Sequence, residues 1–526
     1  MRCSMKTTPQ KMLPMIGTIA FLAAVAWSGV ANAQDASWSM LATPSQMNPG
    51  VTLLLTDGTV LVQQVGTSNW WKLIPDEFAN YSTGSLKQVA TVPMAYDPWG
   101  FASAVLPDGR VIIEGGEYNY GTKDYSNLGA IYDPTNSPLG TWTQVNPPVD
   151  PVTGPWAEIG DATSVVLPNG TFMLANSCHD PTCPGVAVSP PEGALFDATN
   201  LSWQILTNSS GFVGKFDENA EEGWTLLPNG DVLTIDMYVG ATGPKKNSEI
   251  YNYLTGVWTS AGNTSVQLRD ASGHETGPAV LRPDGTVFAT GANQAGAGHT
   301  AIYDTTTGTW TPGPDIPGVN DAADVPAALL PDGNVLVVTG PGVNMGPITF
   351  YEFAFDGTGW VSIPQPTGLK PALIESSRML VLPTGQILYT QAGLHGGVPL
   401  MWFYTPAGTY EPAWQPVIDV CCYPESVSVG GTYTVSGIQF NGLSQGTYYG
   451  DDAQSATNYP LVLITNKKSG HKFFARTHNF STMAVATGNL PVSTQFDVLT
   501  GTETGHSTMV VIANGIPSAA VNITVK

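Results

Sequence analysis

Apolar residues in this chain come in short unbroken runs, split by small polar turns that recur at a near-constant interval. Residues 101–145 show the unit most clearly. FASAVL predicts a strand, Pro107-Asp108-Gly109 a tight turn, RVIIEGG a returning strand, GAIYDP a third strand and TWTQV a fourth. Asp-Gly and Asn-Gly supply the positive φ that a short hairpin needs. The turns are Thr56-Asp57-Gly58, Pro107-Asp108-Gly109, Pro168-Asn169-Gly170, Pro228-Asn229-Gly230, Pro283-Asp284-Gly285, Pro331-Asp332-Gly333 and Pro383-Thr384-Gly385, seven units 48 to 61 residues apart. Strands flanking them are apolar on both faces (VVLPNGTFML, AALLPDGNVLVV), as expected where sheets stack on both sides. Trp142, Trp203, Trp258, Trp310 and Trp360 close five of the units and are expected to pack between neighbours. Four strands and a late Trp per period of about fifty residues predict a β-propeller.

Trp38-Ser39-Met40-Leu41-Ala42 reads as the last strand of a unit that has no beginning. It is expected to close the ring against the final unit, 378–403, so that no sheet edge is left free. Beyond residue 417 the repeat stops. SVSVGGTYTVSGIQF, YPLVLITN, KFFARTHNF, TMAVAT, TQFDVLT, STMVVIAN and AAVNITV predict about seven short strands and an immunoglobulin-like sandwich. The fold class is therefore all-β: a seven-bladed propeller over residues 34–416 and a sandwich over 417–526.

Composition changes this picture in three ways. Arg2, Lys6 and Lys11 precede the apolar run 12–30, which ends in Ala31-Asn32-Ala33. This is a secretory signal over residues 1–33 with cleavage before Gln34, and it predicts a secreted (extracellular or periplasmic) chain without membrane insertion. Its removal takes the formal charge from −22 to −25. Nucleic acid and anionic membrane surfaces are poor partners for a chain of that sign, so no nucleic acid partner is expected. Export favours disulfides among Cys178, Cys183, Cys421 and Cys422. Three pairings are open; Cys178–Cys183 is the simplest, and a bond within Cys421-Cys422 would be strained.

The turns open on one face of the ring, which leaves the mouths of the inner strands on the other. Counting back nine or ten residues from each turn glycine reaches those mouths. Asp161, Glu221, Glu275, Asp324 and Glu375 stand there, with Glu222, Asp217 and His274 beside them. The loops between second and third strands add Trp70, Trp71, Tyr118, Tyr120, Tyr125 and Tyr238 on the same face. Acids in such places also serve as solvated loop residues or turn caps. Converging on one axis, they would repel one another unless a cation or shared protons intervened.

The repeats resemble kelch motifs, and the whole plan is similar to the galactose oxidase and glyoxal oxidase group. The wording of TSNWWKL, EEGWTLLPNGDVLT, GPAVLRPDGTVFATGAN and GLSQGTYYGDDAQSATNYPLV resembles exported bacterial kelch-repeat proteins more closely still. The oxidases of that group hold one copper with a Cys-crosslinked Tyr, a second Tyr and two His. Of that set, Arg476-Thr477-His478-Asn479 matches the sandwich Thr-His, which makes His478 the one metal ligand the resemblance carries over. Glu375-Ser376 replaces the final-blade Tyr-His, and no mouth position carries Cys or Tyr. Copper is therefore disfavoured and no cofactor is assigned, while a divalent cation would suit the carboxylates. Without the resemblance, His478 reads as a contact between sandwich and propeller.

The function expected is binding of carbohydrate or a related surface polymer by a monomer. The ligand-binding residues would be Asp161, Glu221, Glu222, Glu275, Asp324, Glu375, Trp70, Trp71, Tyr118 and Tyr238. The alternatives are an oxidoreductase of the galactose oxidase kind with atypical metal ligands, and a carboxylate-dependent glycoside hydrolase.

Overall fold

The structure is a computed structural model that describes residues 36–526 apart from 44, 46, 153, 162, 177–191, 209–210, 217–218, 238–246, 271–273, 294–295, 393–400 and 447–452. The expected signal segment, Cys178, Cys183, Asp217 and Tyr238 lie outside the described residues. Among those described there is no α-helix, and no helix is long and apolar enough to cross a membrane.

Each repeat folds into its own antiparallel sheet. The innermost strands are Pro49–Leu54, Ala102–Val105, Ser164–Val166, Thr225–Leu226, Ala279–Leu281, Ala327–Leu329 and Ser377–Val381. Neighbouring sheets meet along these strands, and the seventh returns to the first. The third and fourth are joined by a shared core containing Val165 and Leu226. The ring is thus closed, and its closure is the one expected: Ser37–Met40 pairs with Met401–Thr405 on the outside of the last sheet.

The turns explain why the repeat is so regular. All seven turn glycines have φ between 75° and 88°, a conformation that costs glycine nothing. In six of them the Asp or Asn before the glycine accepts a hydrogen bond from the backbone N–H two residues on, at 3.0–3.1 Å. The tryptophans act as the sequence predicts. On the outer pair of strands Tyr132 faces Trp142, Phe196 faces Trp203, Tyr251 faces Trp258, Tyr303 faces Trp310 and Phe353 faces Trp360. Trp38 faces Tyr404 in the same register, so the N-terminal strand supplies the seventh sheet with its tryptophan. Several of these indoles reach into the preceding unit: Trp142 Nε1 donates to Ala90 O, Trp203 to Asn146 O and Trp310 to Ser248 Oγ.

The C-terminal strands form one continuous sheet. Its order runs Val417–Ile418, Thr432–Ile438, Val492–Asp497, Lys472–His478, Leu461–Asn466, Gly505–Ala513, Val521–Val525 and Ser426–Val427. The sheet encloses a core that includes Val435, Val462, Phe496 and Val511. Two sequence expectations change here. Residues 482–487 are not a strand; Met483 N and Thr482 Oγ1 both donate to Pro168 O, docking this segment on the third turn of the ring. Cys421 and Cys422 are bonded to each other, the pairing that strain had argued against.

The two parts are locked together in two ways. The sandwich sits on the turn face: Thr477 N donates to Thr56 O, and Lys472 N to Glu77 O. A segment from the sandwich also runs along the axis of the ring. Gln445–Gly446 pairs with the innermost strand of the fifth sheet, Gln445 accepts from Leu226 N, Gln454 accepts from Ala327 N, and Ser455 Oγ donates to Thr52 O. The face that carries the strand mouths stays opposite the sandwich.

Candidate functional site at the propeller mouth

Four successive sheets, the fourth to the seventh, send an acid to the mouth from the residues just before their inner strands. Glu221, Glu275, Asp324 and Glu375 all line one cavity of about 710 Å³. The repeat favours this convergence, because equivalent offsets in successive sheets face one axis, although Asp161 at the same offset in the third sheet does not reach the cavity. Glu221 (φ 57°) and Asp324 (φ 50°) take left-handed backbone, unusual for residues with a Cβ. Glu375 lies in a short 3₁₀ turn, Ile374–Ser376, with Ser376 Oγ bonded to Leu373 O.

One carboxylate oxygen each from Glu221, Glu275 and Asp324 lies within 4.8 Å of the others. Glu221 and Asp324 are buried, at 8% and 4% exposure. Burial pushes the Glu375 carboxyl up to about 7, and the charge of Asp324 adds to that.

The second repeat builds the opposite wall. Pro98–Trp99 pairs with Tyr118–Asn119, placing Trp99 across from Tyr118. Tyr120, with φ 51° and 46% exposure, bonds through its hydroxyl to Ser68 Oγ at 2.5 Å. Asp97 reaches the same cavity; its Oδ2 accepts from Gly66 N at 2.7 Å, and burial lifts its carboxyl to about 7. The buried guanidinium of Arg378 lies 4.6 Å from the centre of the Trp99 ring and donates to the carbonyls of Glu375 and Ser377.

The expected ligand residues therefore divide. Glu221, Glu275, Asp324, Glu375 and Tyr118 are brought together. Glu222 is not at the mouth: its side chain is fully buried in the fourth sheet, bonded to Lys215 Nζ at 2.8 Å and Thr234 Oγ1 at 3.0 Å. Glu249 and Asp236 approach the same ammonium at 2.7 and 4.0 Å, forming an internal ionic cluster. Asp161 is 1% exposed and does not line the cavity. Trp70 is core, 1% exposed and packed on Trp142 and Phe101. Trp71 instead donates to Gln64 Oε1 at 2.8 Å.

His478 is on the wrong side of the ring for the metal role that the resemblance implied. Its Nε2 is 3.2 Å from Asp497 Oδ1, and its neighbour Thr477 is bonded to the first turn. Its side chain is thus held within the sandwich by Asp497, while Thr477 beside it makes the contact with the propeller. Trp99, Asp97 and Glu117 line the cavity without having been expected as ligand contacts. The same count back from Gly109 reaches Trp99-Gly100, so Trp99 was within its reach, whereas Asp97 lies two residues beyond it.

No protein-family model and no curated protein matches the chain. Among solved structures it is similar to one described as a novel fungal alcohol oxidase with catalytic diversity among the AA5 family, in complex with copper. Identity is 14% and the TM-score 0.50, over 94% of this chain and 100% of that one. At that identity the likeness is one of fold: this chain has the ring-and-sandwich architecture of the galactose oxidase group.

Proposed function

We propose that the chain is an exported, monomeric binding protein that takes carbohydrate, or a related polyhydroxylated surface polymer, at the mouth of its propeller. The observation that carries this reading is the meeting of acids from four consecutive sheets with an aromatic wall of Trp99, Tyr118 and Tyr120 in one cavity. Carboxylates accept hydrogen bonds from sugar hydroxyls, and an amphipathic ring offers its face to the apolar side of a pyranose. A few placed polar groups beside aromatics are the usual make-up of a small-molecule site.

Copper-radical oxidation fits these residues poorly. The lining of the cavity supplies carboxylate, amide, phenol and indole groups, with no imidazole or thiolate among the described residues. Copper(II) sites take imidazole nitrogen among their donors, whereas a set of carboxylate and amide oxygens suits hard ions. Hydrolysis draws on one observation, the Glu375 carboxyl lifted to about 7 beside Asp324, which would suit a proton donor.

The test is a glycan array probed with the full mature chain, followed by titration of any hit against Trp99→Ala and Glu375→Gln. Binding weakened tenfold or more in both supports the reading. An empty array, or binding that both variants retain, sinks it. Reducing ends released from a bound glycan would point to the hydrolase, and peroxide formed from alcohols or sugars to the oxidase.

A further inference from the structure

We propose that Glu221, Glu275 and Asp324 form a seat for one hard divalent cation of calcium's size at the axis of the propeller mouth. Their ligand oxygens lie within 4.8 Å of one another. An ion bound at 2.3–2.6 Å places ligands on opposite sides about 4.6–5.2 Å apart, so one calcium ion spans the set. Magnesium demands near-ideal octahedral geometry at about 2.0–2.1 Å and sheds its waters reluctantly, so a three-carboxylate seat suits it less well.

The independent observation is Asp324. Asp324 is 4% exposed and lines the cavity, and its Oδ1 is buried with no hydrogen-bond partner among the described residues. An acceptor held away from water in that state is costly, and a bound cation relieves it. The buried Glu222 shows the alternative within the same sheet ring: where no ion is meant to bind, a lysine ammonium supplies the positive charge. Asn344, whose Oδ1 is also buried without a partner among the described residues, lines the same cavity and offers a neutral oxygen of the kind calcium takes. Three carboxylates leave coordination positions open for hydroxyl oxygens, so the inference rests on the mouth proposed above as the binding site and names what would bridge protein and polyol there.

The test is calorimetry on the full mature chain, stripped with EDTA and desalted, in 150 mM salt and without any glycan. Saturable binding of one calcium ion per chain is expected, with magnesium at least tenfold weaker. Glu275→Gln and Asp324→Asn should each weaken calcium tenfold or more while melting in EDTA at the wild-type temperature. Glu275→Gln alone decides if Asp324→Asn does not fold. Absence of saturable calcium binding overturns the proposal, as does weak multi-ion binding that Glu275→Gln retains. Calcium bound with no glycan ever retained leaves the seat standing and removes the carbohydrate reading. Glycan retained equally in EDTA, with no calcium heat, does the reverse.

Discussion

The guanidinium of Arg378 lies 4.6 Å from the centre of the Trp99 ring, so a cation from the seventh sheet underlies the aromatic wall built by the second. Because Arg378 also donates to the carbonyls of Glu375 and Ser377, one buried side chain ties the acidic and aromatic halves of the mouth. Arg378→Met should cost about 2 kcal/mol, the range for hydrogen bonds from a charged donor, and should weaken ligand binding as the Trp99 wall relaxes. Urea unfolding checks the first effect. A variant as stable as the wild type would mean that the two sheets hold the mouth without this tie.

Lys215 carries the opposite burden inside the fourth sheet. Its ammonium and the Glu222 carboxylate are both fully buried, and Glu249 is 2.7 Å away. Lys215→Met strands those acids and should cost about 3–5 kcal/mol. Adding Glu222→Gln and Glu249→Gln should recover part of that loss in the same urea experiment. No recovery would show that lost packing, including the 5.2 Å contact of the ammonium with Trp258, dominates.

Asp97 gives stability a pH dependence of definite sign. Burial raises its carboxyl from 3.8 to about 7, so between those values the folded chain holds a proton that the unfolded chain has released. Stability from this group is therefore fully present below about pH 4 and is lost as pH rises through about 7, by up to about 1.4 kcal/mol per pH unit. Unfolding free energies at pH 5, 6 and 7 should fall in the wild type and fall less steeply in Asp97→Asn. Parallel slopes would show that Asp97 titrates normally.

Trp38 tests ring closure. Its ring packs 4.9 Å from Tyr404 and 5.2 Å from Phe350, and its Nε1 donates to Pro364 O at 2.8 Å. Trp38→Ala should cost about 2 kcal/mol, less than for a fully buried aromatic because the ring is only partly buried. A loss under about 1 kcal/mol would mean that the first strand contributes little to holding the last sheet.

These tests separate what the sequence displayed from what it concealed. In the ring, the strand order, the turns, the closing tryptophans and the closing strand were readable, because each repeat states the same local chemistry and closure needs only one orphan strand. The acids at the mouth were readable for the same reason, as a constant offset from the turn glycine. What escaped was direction. Glu221 and Glu222 are adjacent, yet one lines the cavity and the other is sealed in the sheet. In the Trp70–Ile74 strand Trp70 is core and Trp71 is only partly buried, as alternation along a strand requires. Two neighbours read as one patch thus have different roles. His478 has a longer-range reason: no periodicity says which face of the ring the sandwich covers, and that choice put Thr477 on Thr56 and the histidine beside it on Asp497 instead of among the acids. The segment along the axis was hidden likewise, since Gln445, Gln454 and Ser455 bond to inner strands more than one hundred residues away in sequence.

The central claim is that the mouth, and no other surface, receives the ligand. Affinity electrophoresis in gels cast with soluble polysaccharides tests it most directly, comparing wild type with Tyr120→Ala at the mouth and with Val420→Ala, an exposed sandwich residue. Retardation of wild type and Val420→Ala by the same polysaccharide, with Tyr120→Ala running freely, is the expected result. Equal retardation of all three, or of none in any polysaccharide, would contradict it.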